Sequence, residues 1–166
     1  MEPIITIAGR EDFAEMIQLA DLTMPDRMNL HELKKYFELF PDLIFKATDG
    51  RQIVGFCCAG IDMYQSAGWL LFNLVKPEYQ GKGLGKRLIK ARLTALEKFP
   101  NLSRVLVTVS KENTRSIRAL ESFGFYFSHR EYDYYGPGKD RDIFELLFLP
   151  PTSITTLPEP VVSLNC

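Results

Sequence analysis

The sequence predicts an α+β fold: a single domain on a mostly antiparallel sheet of about seven strands, flanked by about four helices. Three observations predict it. Seven short segments read as strands and four as amphipathic helices, in the order β-α-α-β-β-β-α-β-α-β-β. Runs of adjacent strands without an intervening helix call for antiparallel pairing, and an Asp49-Gly50 turn joins two of them as a hairpin. Only one strand–helix–strand unit, Leu70 to Val109, is long enough for a parallel crossover. A length of 166 residues suits one domain, since domains cluster near ~100–150 residues.

Each element has its own signal. Ile4 to Ala8 is a short β-branched strand. In "REDFAEMIQLAD", Phe13, Met16, Ile17 and Ala20 recur at helical spacing. "HELKKYFELF" puts Leu33, Tyr36, Phe37 and Phe40 on one side of a second helix, which Pro41 ends. Strands follow at Leu43 to Thr48, Gln52 to Asp62, and along "GWLLFNLV" before Pro77. The next helix is expected from about Leu84 to Phe99, with an inner stripe of Leu88, Ala91, Ala95 and Phe99 widened by Ile89, Leu93 and Leu96. Leu102 to Ser110 is a strand, and "TRSIRALESFGF" a short helix stopped by Gly124. "FYFSHREYDYY" and "RDIFELLFL" flank "GPGKD" as a final hairpin. Residues 150–166, with three more prolines after Pro150 and little pattern, read as a loosely packed extension.

Composition narrows the function. Hydrophobic residues at 46%, charged residues at 25% and a net charge of −1 describe an ordinary globular chain with no pull toward nucleic acid or an anionic membrane. No apolar run approaches the ~18 residues of a membrane span. Cys57, Cys58 and Cys166, with His31 and His129, offer no metal-ligand spacing and no disulfide framework. Cys57 and Cys58 alternate across a strand, so at most one is expected to face the core. The chain is expected in the cytoplasm, without a metal, as a monomer or homodimer.

The chemistry lies in "KPEYQGKGLGKR", residues 76–87, where Gly81, Gly83 and Gly85 alternate between an apolar strand and a basic helix. A dinucleotide fingerprint would need glycine at position 86, where Lys86 stands, and a P-loop would need Ser or Thr after the lysine, where Arg87 stands. What remains is a general anion site. The free N–H groups of a helix starting near Leu84 point back over the glycines, which leave room for a di- or polyphosphate. Lys82, Lys86 and Arg87 add attraction; cations at a helix N-terminus oppose its dipole unless an anion sits between. A side chain at Gly83 would block that anion and is expected to leave the fold intact.

These residues resemble a known family. Val75-x-Pro77-x-x-Gln80-Gly81-x-Gly83-x-Gly85 is similar to the acyl-coenzyme A motif Q/R-x-x-G-x-G/A of the GNAT N-acetyltransferases, and Asn113-x-x-Ser116-Ile117-x-Ala119-Leu120-Glu121-Ser122-Phe123-Gly124-Phe125 to that family's N-x-x-A-x-x-L-Y-E-K-x-G-F segment. The resemblance covers roughly Ile4 to Leu149, and implies a GNAT-like domain over residues 1–149 whose sheet has a V-shaped splay. It implies acetyl-coenzyme A as co-substrate, with main-chain groups of Leu74 and Val75 on pantetheine, one N–H there on the thioester oxygen, the amides of Lys82, Gly83, Gly85 and Lys86 on pyrophosphate, Gln80 bracing the Gly81 loop, and Asn113 on the pantetheine chain. The family's tyrosine, which protonates the departing thiolate, is Leu120 here. Tyr135, Tyr134 and Tyr132 in the final hairpin are the phenols available instead, while Glu112 reads as a solvated loop carboxylate. The implied activity is acetyl transfer to a primary amine on a peptide or small molecule. "YYGPGKD", Tyr134 to Asp140, resembles the hairpin of protein N-terminal acetyltransferases and favours a peptide N-terminus. Alternatives are a small-molecule amine or lysine acetyltransferase, and an acyl-coenzyme A-binding regulatory module without turnover.

Overall fold

The computed structural model describes residues 2–24 and 30–148; the expected extension at 150–166 lies outside them. The elements are β1 (Ile4–Ile7), α1 (Phe13–Thr23), α2 (Leu30–Leu39), β2 (Ile44–Asp49), β3 (Gln52–Asp62), β4 (Ala67–Val75), α3 (Leu84–Leu96), β5 (Arg104–Val109), α4 (Thr114–Glu121), β6 (Tyr126–Glu131) and β7 (Arg141–Leu147). Their order is the one the sequence predicts. The seven strands form one sheet, ordered β1-β2-β3-β4-β5-β7-β6. Every pair is antiparallel except β4–β5.

That parallel pair is short, and its shortness makes the site. Ala67–Leu70 pair with Arg104–Val107 and the ladder stops there. Beyond it, β4 continues along β3 to Val75, while Thr108 and Val109 stay with β7. The two strands part into a V. The register of β4 on β3 slips at the same level: Ala59 faces Leu70 and Cys57 faces Asn73, so Leu71 and Phe72 together oppose Cys58. A two-against-one bulge of this kind bends and twists its strand, here away from β5.

Helices cover both faces of the sheet. Met16, Leu19, Leu33 and Phe37 of α1 and α2 pack with Ile53, Phe56 and Cys58. On the other face Leu84 and Leu88 of α3 pack with Val54, Cys57 and Val75, and Ile89, Leu93 and Leu96 with Ala59, Leu70, Val105 and Leu120. Both Cys57 and Cys58 are therefore fully buried. The expectation of one inward cysteine fails because each face of β3 has its own helix layer. Burial raises both thiols, Cys57 to about 11.

The stripe of α3 also differs from the expected one. Leu84, Leu88, Ile89, Arg92, Leu93 and Leu96 are buried, Ala91 and Ala95 half-buried, and Phe99 is exposed. The helix ends at Leu96, where Lys98 and Phe99 turn to three-residue hydrogen bonds. Pro100 disfavours helical backbone at Phe99 and sets this limit. Among the described residues, no helix is long and apolar enough to cross a membrane.

Candidate functional site

The glycine loop closes the open end of the V. After a single 3-10 turn at Pro77–Tyr79, Gly81 (φ +75°) and Gly83 (φ +84°) take left-handed backbone, and Gly83 is the N-cap of α3. Side chains rarely adopt this region. Among the described residues no side chain caps α3, and its first turn holds no acid. The first helical N–H groups are thus left without protein acceptors. A β-carbon on Gly85 would meet only the Asn73 side-chain amide, at 3.8 Å, and Asn73 is exposed on the part of β4 that has left β5.

Gln80 braces this loop from both walls of the V. Its Nε2 donates to the Val75 carbonyl at 2.9 Å, and its Oε1 accepts from Arg115 at 3.2 Å. Arg115 sits in the first turn of α4, so it brings the end of β4 and the start of α4 to one point; the sequence reading had not singled it out. Asn113 caps α4, its Oδ1 accepting from the Ser116 N–H at 3.2 Å, which leaves its amide nitrogen for a ligand. Lys82 lies over the Tyr79 ring, 5.7 Å from its centre. Lys86 is exposed. Arg87 turns away: it pairs with Glu2 at 3.0 Å and donates to the Pro3 carbonyl at 2.9 Å. One residue along a helix is a rotation of ~100°, which carries Arg87 to the β1 side and removes it from the anion site.

The main chain of β4 can be read by alternation. Lys76 N–H donates to the Val54 carbonyl at 2.9 Å, and antiparallel pairs alternate between bonded and non-bonded. Since Gly55 faces Val75 and Cys57 faces Asn73, the main-chain groups of Val75 and Asn73 turn into the V. Those of Leu74 turn to β3; its carbonyl lies 2.9 Å from where a Gly55 β-carbon would be. Because the bulge sets the parity, the main chain of Leu74, expected on pantetheine, faces β3, and that of Asn73 faces the V.

On the other side of β4 the hairpin approaches α2. Asp133 Oδ1 accepts from the Gly138 N–H at 2.6 Å and Asp140 Oδ1 from the Asp133 N–H at 3.0 Å, knitting the loop. Tyr134 and Tyr135 meet edge to face, 4.8 Å between ring centres, and Arg141 stacks on Tyr135. Tyr134 is 39% exposed, Tyr135 58% and Tyr132 75%. Burial, then the neighbouring Tyr135, Glu131 and Glu32, hold the Tyr134 phenol above its ordinary range. Tyr36, on the apolar side of α2, donates to the Glu32 carboxylate at 2.9 Å and packs edge-on against Phe72 of the bulge. Burial and Glu32 raise it above the ordinary phenol range. Leu120 is buried in the core against α3. Glu112 accepts a short hydrogen bond from Ser110, which lowers its carboxyl; that is the solvated loop carboxylate of the sequence reading.

A separate recess of about 440 Å³ lies on the β1 side of α3, flanked by Glu2, Asp49, Tyr79, Lys82 and Arg87. Its arginine is already paired with Glu2. Among the described residues no group of His, Cys, Asp and Glu could hold a metal ion.

The sequence pattern of the Acetyltransferase (GNAT) family matches residues 13–125. This chain belongs to that family. Spermine/spermidine N(1)-acetyltransferase of Bacillus subtilis (strain 168) is 32% identical over 82 residues, 46% of this chain and 54% of the relative. N-alpha-acetyltransferase 30 of Homo sapiens is 24% identical over 135 residues, 73% of this chain and 37% of the relative. The chain therefore spans about half the length, or less, of these curated relatives. The same fold recurs in the NatC complex bound to Gag peptide and CoA (TM-score 0.81, 19% identity, 90% of this chain and 100% of that one). It recurs too in yncA from Salmonella typhimurium with acetyl-CoA (TM-score 0.74, 16% identity, 92% and 99%). At these identities the likeness is one of fold, and the GNAT architecture of the chain is clear from it.

Proposed function

We propose that this protein transfers an acetyl group from acetyl-coenzyme A to a primary amine, with a peptide N-terminus as the preferred acceptor. The observation that carries the reading is the V itself: a parallel pair that separates after Leu70 and Val107, its mouth closed by uncapped amides of α3. Separated strands leave main-chain groups without partners, an arrangement that is costly unless something fills it. A pantetheine arm between Val75 and Asn113, with pyrophosphate over Lys82, Gly83, Gly85 and Lys86, fits those vacated donors and the space facing Gly85.

Bound there, acetyl-coenzyme A supplies an activated thioester carbonyl. The Asn73 and Val75 N–H groups face the V and are the donors for the oxygen on which charge develops. The acceptor amine comes from the α2–hairpin side, and must arrive neutral. An α-amine of pKa ~7.8 is ~10–15% neutral at pH 7, a lysine amine of pKa ~10.4 only ~0.04%. Glu112 is lowered and exposed, and the buried carboxylates beside β5, Asp142 and Glu145 of β7, are already paired with Arg130 and Arg104. With no unpaired buried carboxylate beside β5 among the described residues, the α-amine is the easier acceptor. The aromatic wall of Tyr36, Phe72, Tyr134 and Tyr135 suits an apolar first residue. Tyr134, held protonated at neutral pH, keeps a proton at Oη for the departing thiolate in place of the tyrosine that Leu120 replaces.

The test is transfer, read as thiol release, to a free-N-terminus peptide, its N-blocked lysine-containing twin, and spermidine. Fastest release with the free peptide is the expected result. A second reading has its own support: Glu32 and Glu131 beside Tyr134 would favour a polycation, so fastest release with spermidine would select it. Coenzyme A binding without release from any amine would select a binding module, the role that Leu120 favours.

A further inference from the structure

Arg92 is the largest fully buried side chain of the described residues, 1% exposed. It stands in the middle of the apolar stripe of α3, where hydrophobic spacing asks for leucine. Its guanidinium donates from Nε to the Leu88 carbonyl at 3.3 Å, and from one terminal nitrogen to the carbonyls of Cys58 at 3.3 Å and Phe72 at 3.1 Å. Cys58 and Phe72 are the two sides of the β4 bulge. No carboxylate is among its partners in the described residues, although a buried cation is expensive to keep without one. The two buried thiols against it are held neutral.

The bulge explains part of this. Two residues opposite one leave carbonyls that the ladder cannot satisfy, and the arginine satisfies them from beneath. A neutral glutamine could do the same. The charge has a further use because of where the Phe72 carbonyl leads. A trans peptide points its C=O and the following N–H in opposite directions. The group bonded to Arg92 at one end is, at its other end, the Asn73 N–H, which faces the V.

We propose that Arg92 is a positioning residue that acts through the Phe72–Asn73 peptide: it clamps the bulge and polarises the Asn73 N–H toward the oxygen of the acyl group. Hydrogen bonds in a chain strengthen one another, more so where the dielectric is low. The cation, which has no carboxylate partner among the described residues, gains a counter-charge when negative charge develops in the V. This inference rests on acyl transfer in the V, but its first consequence is a property of the ligand-free protein.

The experiment compares wild type with Arg92→Gln, which keeps N–H donors for the two carbonyls and loses the charge, and with Arg92→Lys, which keeps the charge. Three quantities are read: the amide proton shift of Asn73 by 15N–1H NMR without ligand, the Kd for coenzyme A by calorimetry, and kcat with the best acceptor. In Arg92→Gln the Asn73 amide proton should move upfield and kcat fall about 10- to 100-fold, part of the ~10²–10³-fold that an oxyanion donor supplies. The Kd should stay within about threefold of wild type, since the bulge is kept. Arg92→Lys should return the Asn73 shift toward wild type and recover most of kcat. An unmoved Asn73 shift, an unchanged kcat, or a Kd that rises in step with the loss of kcat would each overturn the proposal, the last by marking a purely structural role. If Arg92→Gln does not fold, Arg92→Lys decides: a Asn73 shift near wild type supports the proposal, and one displaced while the protein stays folded overturns it. Wild-type protein that binds coenzyme A and acetylates nothing would refute the activity, and the Asn73 shift would still test the polarisation.

Discussion

Gly85 separates ligand binding from folding. It is the second residue of α3, and a β-carbon there meets only the Asn73 amide, at an ordinary 3.8 Å. Glycine in a helix is ~0.8–1.0 kcal/mol worse than alanine, and leucine is close to alanine; near the helix end about half of that gap applies. Gly85→Leu should therefore raise the stability of the ligand-free protein by ~0.5 kcal/mol, or ~1–2 °C in Tm at this chain length. The same side chain would grow toward exposed Asn73, across the space in front of the α3 amides. Loss of two hydrogen bonds to a charged group, at ~1.5–3 kcal/mol each, weakens coenzyme A by ~10²–10⁴-fold. Gly85→Ala is the control. It adds one methyl group, which the G/A alternation of the motif tolerates, so stability should rise with Kd within about threefold of wild type. Thermal melts without ligand and calorimetry with coenzyme A check both signs. Wild-type affinity in Gly85→Leu, or destabilisation beyond ~1 kcal/mol without ligand, would refute the reasoning. A side chain at Gly83, expected to leave the fold intact, would still lower its stability. At φ +84° any L side chain is strained, by ~1–2 kcal/mol, so lost binding there would be confounded with lost stability.

Three further outcomes are expected. Tyr134→Phe should lower kcat by ~10²-fold with Kd for coenzyme A unchanged, whereas Tyr132→Phe should turn over near wild type because Tyr132 is 75% exposed; thiol release with all three tyrosine variants near wild type would leave departure of the thiolate to solvent. Asn113→Ala should lose the α4 cap at ~1 kcal/mol and ~2–4 °C in Tm, and bind coenzyme A more weakly; an unchanged melt would argue against the cap. For Cys57 the native thiol sits at about 11 against an ordinary 9.0, so its contribution is fully present below pH 9.0 and is lost as pH rises toward 11. At ~1.36 kcal/mol per pH unit this is worth on the order of 2–3 kcal/mol at most. Urea melts from pH 8 to pH 11 should fall less steeply in Cys57→Ala than in wild type, and parallel curves would contradict the assignment.

The glycine loop of the proposed site was legible because it is local: Gly81, Gly83 and Gly85 follow a strand and open a helix, a pattern set by neighbours within a few residues. Gln80 and Asn113 entered through the family resemblance; the structure shows Gln80 joining Val75 to Arg115 of another element, and Asn113 capping α4. The residues that escaped are those whose roles depend on register or on distant packing. Leu74 and Asn73 exchange places because one extra residue in β4 inverts which main-chain groups face the V. Tyr36 resembles any aromatic on an amphipathic helix until β4 brings Phe72 beneath it. Arg92 did leave a signal, a charged residue four before Leu96 and four after Leu88 on the buried stripe.

By itself the sequence determined the order of elements, the start of α3 at Leu84, and the two motifs that carry the family, because backbone preference, capping and apolar period act over one or two turns. It also determined that α3 begins with exposed amides and no acid. The tertiary structure decided where β4 leaves β5, that both cysteines lie between helix layers, that Arg87 belongs to the β1 side and Arg92 to the bulge, and which of the three hairpin phenols is least exposed. Those outcomes follow from strand register and from packing between segments far apart in the chain. A shift of one residue reverses every side chain and every N–H of a strand, and no short-range pattern encodes it.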